Sequence, residues 1–176
     1  YDVKSADKSE SKATLHRAIE LGVTLLDTAD VYGPFTNEEL LGECISGEGL
    51  RSKVVLATKV GLLPESATGY GKDGSPSHIQ KACDASLKRL QTDYIDLYQL
   101  HRVDPQTPIE ETIGAMAELV EAGKIRHVGL SEVTVDELKR AQAVHPIASV
   151  QSELSIWTSV NIENGILDYC NQNGIG

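Results

Sequence analysis

Apolar residues recur along this chain in two alternating rhythms. Leu15, Ala18, Ile19 and Gly22 space out one helix face, and Ile79, Ala82, Cys83, Ser86, Leu87 and Leu90 a second. Ile109, Ile113, Met116, Ala117 and Val120 mark a third. The spacing of three and four is that of a half-buried helix. Between these segments lie short runs rich in β-branched and apolar residues, at 23–28, 54–59, 94–101, 127–131 and 148–151. Runs this short, apolar on both faces, predict parallel strands covered by helices.

The helix starts carry a repeated device. Thr36-x-x-Glu39, Ser77-x-x-Gln80, Thr107-x-x-Glu110 and Thr134-x-x-Glu137 all match a capping box, in which a hydroxyl and an acid or amide satisfy orphan N–H groups of the first turn. Pro108 sits where a first helical residue tolerates proline. Gly22, Gly123 and Gly174 mark helix ends. Strand, loop and capped helix in repeating order predict an α/β protein with a parallel sheet, open or closed as a barrel. A closed (β/α)8 barrel has eight such units in typically about 250 residues. The expectation for residues 1–176 is one domain, a TIM barrel present as about five to six βα units, with the first strand and the last two units absent. The closing "NQNGIG" reads as a helix stop running into a further strand.

Composition narrows the function. Hydrophobic content of 40% suits a globular core, and the formal net charge is −10. An acidic chain without a basic cluster argues against nucleic acid, whose phosphates need Lys and Arg. No apolar run approaches the roughly 18 residues of a membrane span. Cys44, Cys83 and Cys170 are odd in number and widely spaced, so no zinc or redox pair is expected, and reduced thiols fit a cytoplasmic protein.

One motif misleads. Residues 69–74 read G-x-G-x-x-G, but a dinucleotide fingerprint must follow a strand directly. About ten residues intervene here, an approximate boundary. With Pro64 and Pro76 nearby, residues 61–77 are expected to form a long mobile loop over a site.

In parallel α/β folds reactive residues gather where strands end. Those ends supply Asp27 with Tyr32, then Lys59, His101, Ser131 with Glu132, and Gln151 with Glu153. Each has an ordinary explanation alone, as a turn cap, a loop anchor or a buried polar group. Together they make chemical sense. A free phenol has a pKa of about 10; a neighbouring ammonium favours the phenolate, an aspartate holds the ammonium, and a histidine orients a carbonyl. That assembles a general acid for reduction of C=O by a hydride cofactor. Thr28 and Asp30 are expected to serve only the turn.

The segments "GVTLLDTADVYG", "TNEELLGE", "VVLATKV", "SLKRLQTDYIDLYQLHRVD" and "LVEAGKIRHVGLSE" resemble the aldo-keto reductase family, motif by motif and in order. Within it the chain looks most like the longer-loop subgroup that includes plant and microbial carbonyl reductases. The resemblance implies NADPH-dependent reduction of a small-molecule aldehyde or ketone, with Tyr32 as proton donor, Asp27 and Lys59 tuning it, and His101 orienting the carbonyl. It implies cofactor contacts from Asp27, Ser131 and Gln151, the last two at the nicotinamide carboxamide, and no metal. Glu132 stands where the family often has asparagine. The family's seventh-strand aromatic and eighth-strand basic residues, which hold NADPH, lie outside the matched segments. Two other readings remain open: a Schiff-base aldolase using Lys59, and a non-catalytic subunit resembling potassium-channel β-subunits.

Overall fold

The computed structural model describes residues 7–47, 49–66 and 69–176. Helix α1 (Lys8–Glu20) leads into β1 (Leu25–Asp27), then α2 (Thr36–Ile45), a 3-10 turn (Leu50–Lys53) and β2 (Val55–Val60). A hairpin follows, β3 (Leu62–Ser66) with β4 (Gly69–Lys72). Next come α3 (Pro76–Leu90), β5 (Ile95–Leu100), α4 (Ile109–Glu121), β6 (Ile125–Ser131), α5 (Val135–Val144) and β7 (Ile147–Gln151). Two short helices close the order, α6 (Val160–Glu163) and α7 (Ile166–Asn173).

Five strands form one sheet in the order β1-β2-β5-β6-β7, every pair parallel. Each new strand joins beside the last, as in an arc of a βα barrel. The chain end continues the ladder: Val150 N–H donates to Gly176 O at 2.9 Å and Gly176 N–H to Ala148 O at 3.0 Å. The sequence expectation of a further strand after "NQNGIG" therefore holds in its first bonds.

Burial explains why the strands are short and apolar. Leu56, Val60, Ile95, Leu100, Ile125, Val128 and Leu130 are all buried, as strands covered on both sides require. Helix α3 turns Ile79, Cys83, Ser86 and Leu90 inward, and α4 turns Ile109, Ile113, Met116 and Leu119. Each such apolar side chain contributes roughly 1.5–3 kcal/mol. Helix α1 departs from the pattern: none of its residues is fully buried, and Leu15 and Ile19 only flank the core. The close fit of α2 to α3 rests on Gly42, where an added Cβ would lie 2.2 Å from Arg89 O.

Three of the four expected capping boxes are corrected. Only Thr134 and Glu137 form one. Helix α2 begins after Phe35 with no side-chain cap, because Thr36 Oγ1 donates to Gly33 O instead. Helix α3 is capped two residues early by Ser75, with Pro76 in the first turn. Pro108 is the N-cap of α4 rather than its first residue, and Thr107 donates to Asp104.

The expected loop over 61–77 is also corrected: it contains the β3–β4 hairpin and the start of α3, with residues 67 and 68 outside those described. Rejection of the glycine fingerprint stands. Gly69 and Gly71 lie in β4. Gly74 N–H donates to Asp104 Oδ2 at 3.0 Å while its carbonyl accepts from Thr112 Oγ1 at 2.7 Å. A Cβ there would sit 2.8 Å from that hydroxyl, so glycine serves close packing rather than a phosphate.

Candidate active site

Asp27, Lys59, His101, Ser131 and Gln151 stand at or just past the carboxyl ends of five adjacent strands. Parallel pairing makes this collection unavoidable, because every strand ends at the same rim. Lys59 is 1% exposed. Its Nζ donates to Asp27 Oδ1 and Oδ2 at 2.8 and 2.9 Å and to Thr28 O at 3.0 Å. These three acceptors match the three donors of an ammonium.

Tyr32 lies in the turn after β1, with 39% of its surface exposed. The turn is stitched to the neighbouring strand and to itself. Asp30 N–H donates to Lys59 O at 3.2 Å, Tyr32 N–H to Ala29 O at 3.1 Å, and Phe35 N–H to Asp30 O at 2.8 Å. Phe35 takes a left-handed φ of 69°, and Arg89 stacks on its ring at 4.7 Å. The phenol ring so placed has Lys59 Nζ 5.3 Å from its centroid. His101 lies 5.9 Å away, edge-on at 84°.

His101 is a neutral imidazole. Burial above all, then the Lys59 and Arg102 charges, push its pKa down to about 4. Its Nδ1 is buried without a hydrogen-bond partner among the described residues. An orphaned acceptor is tolerated better than an orphaned N–H, so the proton belongs on Nε2, where it is available to donate.

Ser131 ends β6 and Gln151 ends β7, paired in register. Gln151 Nε2 donates to Asp27 Oδ2 at 2.9 Å, which leaves its amide oxygen without a donor among the described residues. Ser131 Oγ accepts from Arg102 Nη1 at 3.1 Å and keeps its own proton to give. A free hydroxyl donor beside a free amide acceptor fits a primary carboxamide such as that of nicotinamide.

Several residues play parts that the sequence did not assign. Glu132 has a left-handed φ of 52°, a conformation that favours asparagine. Its Oε1 accepts from Glu153 N–H at 2.7 Å, so it braces the next loop. Glu38 is fully buried. It accepts from Thr58 at 2.6 Å and from Arg89 Nε at 2.7 Å, tying α2 and α3 to the strand that carries Lys59. Thr28 and Asp30 are more than turn residues. Thr28 Oγ1 donates to Asn37 at 2.7 Å from full burial. Asp30 is buried, and burial, then Glu38, raise its pKa to about 7.

The cysteines are free and buried, and burial pushes the Cys83 thiol up to about 12, far from thiolate reactivity. Among the described residues no group of three or more His, Cys, Asp or Glu could hold a metal ion. No described helix is long and apolar enough to cross a membrane. A groove of about 680 Å³ runs along the outer side of β1 and reaches Asp27, but Tyr32, Lys59 and His101 do not line it.

A parallel βα arc whose rim gathers Asp, Tyr, Lys and His defines the class. The chain belongs to the aldo-keto reductase family, whose sequence profile, described as "Aldo/keto reductase family", matches residues 2–176. It is similar to aldo-keto reductase AKR11C1 from Bacillus halodurans in a holo form, with 36% identity over 97% of this chain and 56% of that one, and a TM-score of 0.86. It is also similar to the glycerol dehydrogenase AKR11B4 from Gluconobacter oxydans, at 31% identity, 97% and 53% coverage and a TM-score of 0.88. A third solved structure, an aldo/keto reductase from Klebsiella pneumoniae in complex with NADP and acetate, shows 35% identity, 97% and 57% coverage and a TM-score of 0.80. The chain thus spans a little over half the length of these structures. They adopt the TIM barrel of which this sheet forms an arc.

Proposed function

We propose that the protein carrying this sequence reduces an aldehyde or ketone to an alcohol with NADPH, Tyr32 giving the proton. The single observation that carries this reading is the convergence of Lys59 and His101 on the Tyr32 ring, at 5.3 and 5.9 Å, with Lys59 fixed by both oxygens of Asp27. The NADP complex of the Klebsiella relative supports the choice of cofactor. When bound, NADPH supplies the hydride.

The chain's own residues do the rest. His101 Nε2–H donates to the carbonyl oxygen and holds it near the phenol. Negative charge builds on that oxygen during reduction, and Tyr32 O–H neutralises it by proton transfer. The Lys59 ammonium stabilises the charge left on the phenol oxygen, and Asp27 keeps the ammonium aimed. The Ser131 hydroxyl and Gln151 amide oxygen would hold the carboxamide, with Asp27 beneath them through Gln151. We read residues 1–176 as a single domain, an incomplete barrel of this kind.

The Schiff-base aldolase reading needs an amine with a free lone pair at Lys59. Three acceptors within 3.0 Å of its Nζ favour a donor instead. Tyr32→Phe tests the reductase reading in the full-length protein carrying this sequence, with NADPH absorbance followed over an aldehyde panel. Loss of a general acid is expected to lower kcat by about 10²- to 10⁴-fold while NADPH binding persists. Undiminished turnover would defeat the mechanism.

A further inference from the structure

The six arginines of this chain share an environment of 26 acidic residues. Arg17, Arg51, Arg89, Arg126 and Arg140 each meet a carboxylate at 2.6–3.0 Å. Arg102, at the catalytic rim, is the exception among the described residues. Its Nη1 donates to His101 O at 2.6 Å and to Ser131 Oγ at 3.1 Å, both neutral acceptors. Its Nε and Nη2 make no hydrogen bond to a described residue, and the side chain is half-buried.

The acids nearby are already engaged. Asp27 holds Lys59 and Gln151, Glu132 holds Glu153 N–H, and Asp104 accepts from Gly74, Gln106 and Thr107. A guanidinium that is partly shielded from water and lacks a counter-ion is poised for an anionic oxygen, which it can grip with two parallel donors. Its two anchors, the main-chain carbonyl of His101 and the hydroxyl of Ser131, hold it on the rim beside the proposed carboxamide site.

We propose that Arg102 is a specificity-determining residue that selects carbonyl substrates bearing a carboxylate or similar anionic group near the reacting carbon. This rests on the reductase reading above. A cofactor phosphate would offer the same chemistry, and the test separates the two sources.

The full-length protein carrying this sequence is assayed with NADPH on short oxo-acids of increasing length, each against its neutral methyl ester, as wild type, Arg102→Gln and Arg102→Lys. For the best oxo-acid, Arg102→Gln is expected to lower kcat/KM by about 10- to 100-fold through KM, with the ester changed by less than about threefold and Arg102→Lys intermediate. The ratio between acid and ester is the readout, since general damage to His101 or Ser131 lowers both. An unchanged ratio overturns the proposal, as does a ratio unchanged while the NADPH dissociation constant rises, which assigns Arg102 to the cofactor. If neither acid nor ester is reduced, the reductase reading fails, and calorimetry with the oxo-acid alone decides. Binding lost in Arg102→Gln then sustains only the anion-gripping role of Arg102, without the reductase reading; equal binding, or none, overturns that role too.

Discussion

Asp30→Asn isolates a buried carboxyl within the turn that carries Tyr32. The carboxyl is 6% exposed, and its Oδ1 lacks a partner among the described residues. Burial and the Glu38 carboxylate raise its pKa from 3.8 to about 7. Between those values the native state holds a proton that the unfolded chain has released. The unfolded state binds fewer protons, so this group makes stability fall as pH rises from about 4 to 7. At 1.36 kcal/mol per pH unit, the full effect is about 4 kcal/mol. An asparagine of the same shape never ionises. The substitution is therefore expected to change stability little at pH 4 and to raise it by roughly 2–4 kcal/mol at pH 8.

His101 gives the experiment a second signature. Its pKa near 4 lies below the usual 6.5, so between those values the unfolded chain binds a proton that the native state refuses. Stability from this group rises with pH across that window, by about 2 kcal/mol once solvent screening is allowed for. In the wild type the two slopes oppose each other. In Asp30→Asn the opposing slope is gone, and stability is expected to climb from about pH 4 to 6.5. Urea unfolding of both proteins at half-unit pH steps, with CD detection, measures the difference. A gain that is the same at pH 4 and pH 8, or a loss that grows with pH, would refute the account, because Asp30 would then be a charge the fold accepts.

Other substitutions probe different links. Glu38→Gln leaves the partly exposed Arg89 beside a buried neutral amide and is expected to destabilise by about 1–3 kcal/mol in urea unfolding. Gly42→Ala drives a methyl into Arg89 O and is expected to cost about 1–3 kcal/mol, read as a lowered melting temperature. Thr134→Ala removes the one intact capping box, with an expected loss of about 0.5–2 kcal/mol. Because His101 stays neutral down to about pH 4, a plot of log kcat/KM against pH is expected to show no imidazole limb near pH 6.5; such a limb, lost in His101→Gln, would contradict the assigned protonation state.

The parallel sheet and its rim were legible because period and position carry them. Short apolar runs alternating with helical faces fix the strands, and strands that pair in parallel must end together. Asp27, Lys59, His101, Ser131 and Gln151 could thus be placed on one rim before any distance was known. The capping boxes were less legible because a hydroxyl three residues before an acid states only a possibility. At Thr36 and Thr107 a nearer acceptor, Gly33 O or Asp104, takes the proton first, and that depends on loop geometry. The burial of Asp30 and Glu38 was not legible, because burial of a charge depends on what covers it, and for Glu38 that is the packing of α2 against α3. Arg102 carries a local signal: it follows His101 directly in "LHRVD". Strand alternation would turn adjacent side chains to opposite faces, but β5 stops at Leu100. Beyond that point alternation no longer applies, so Arg102 reaches Ser131 on the same rim. Rim residues just past a strand end therefore have to be weighed in pairs, because either neighbour can reach the site.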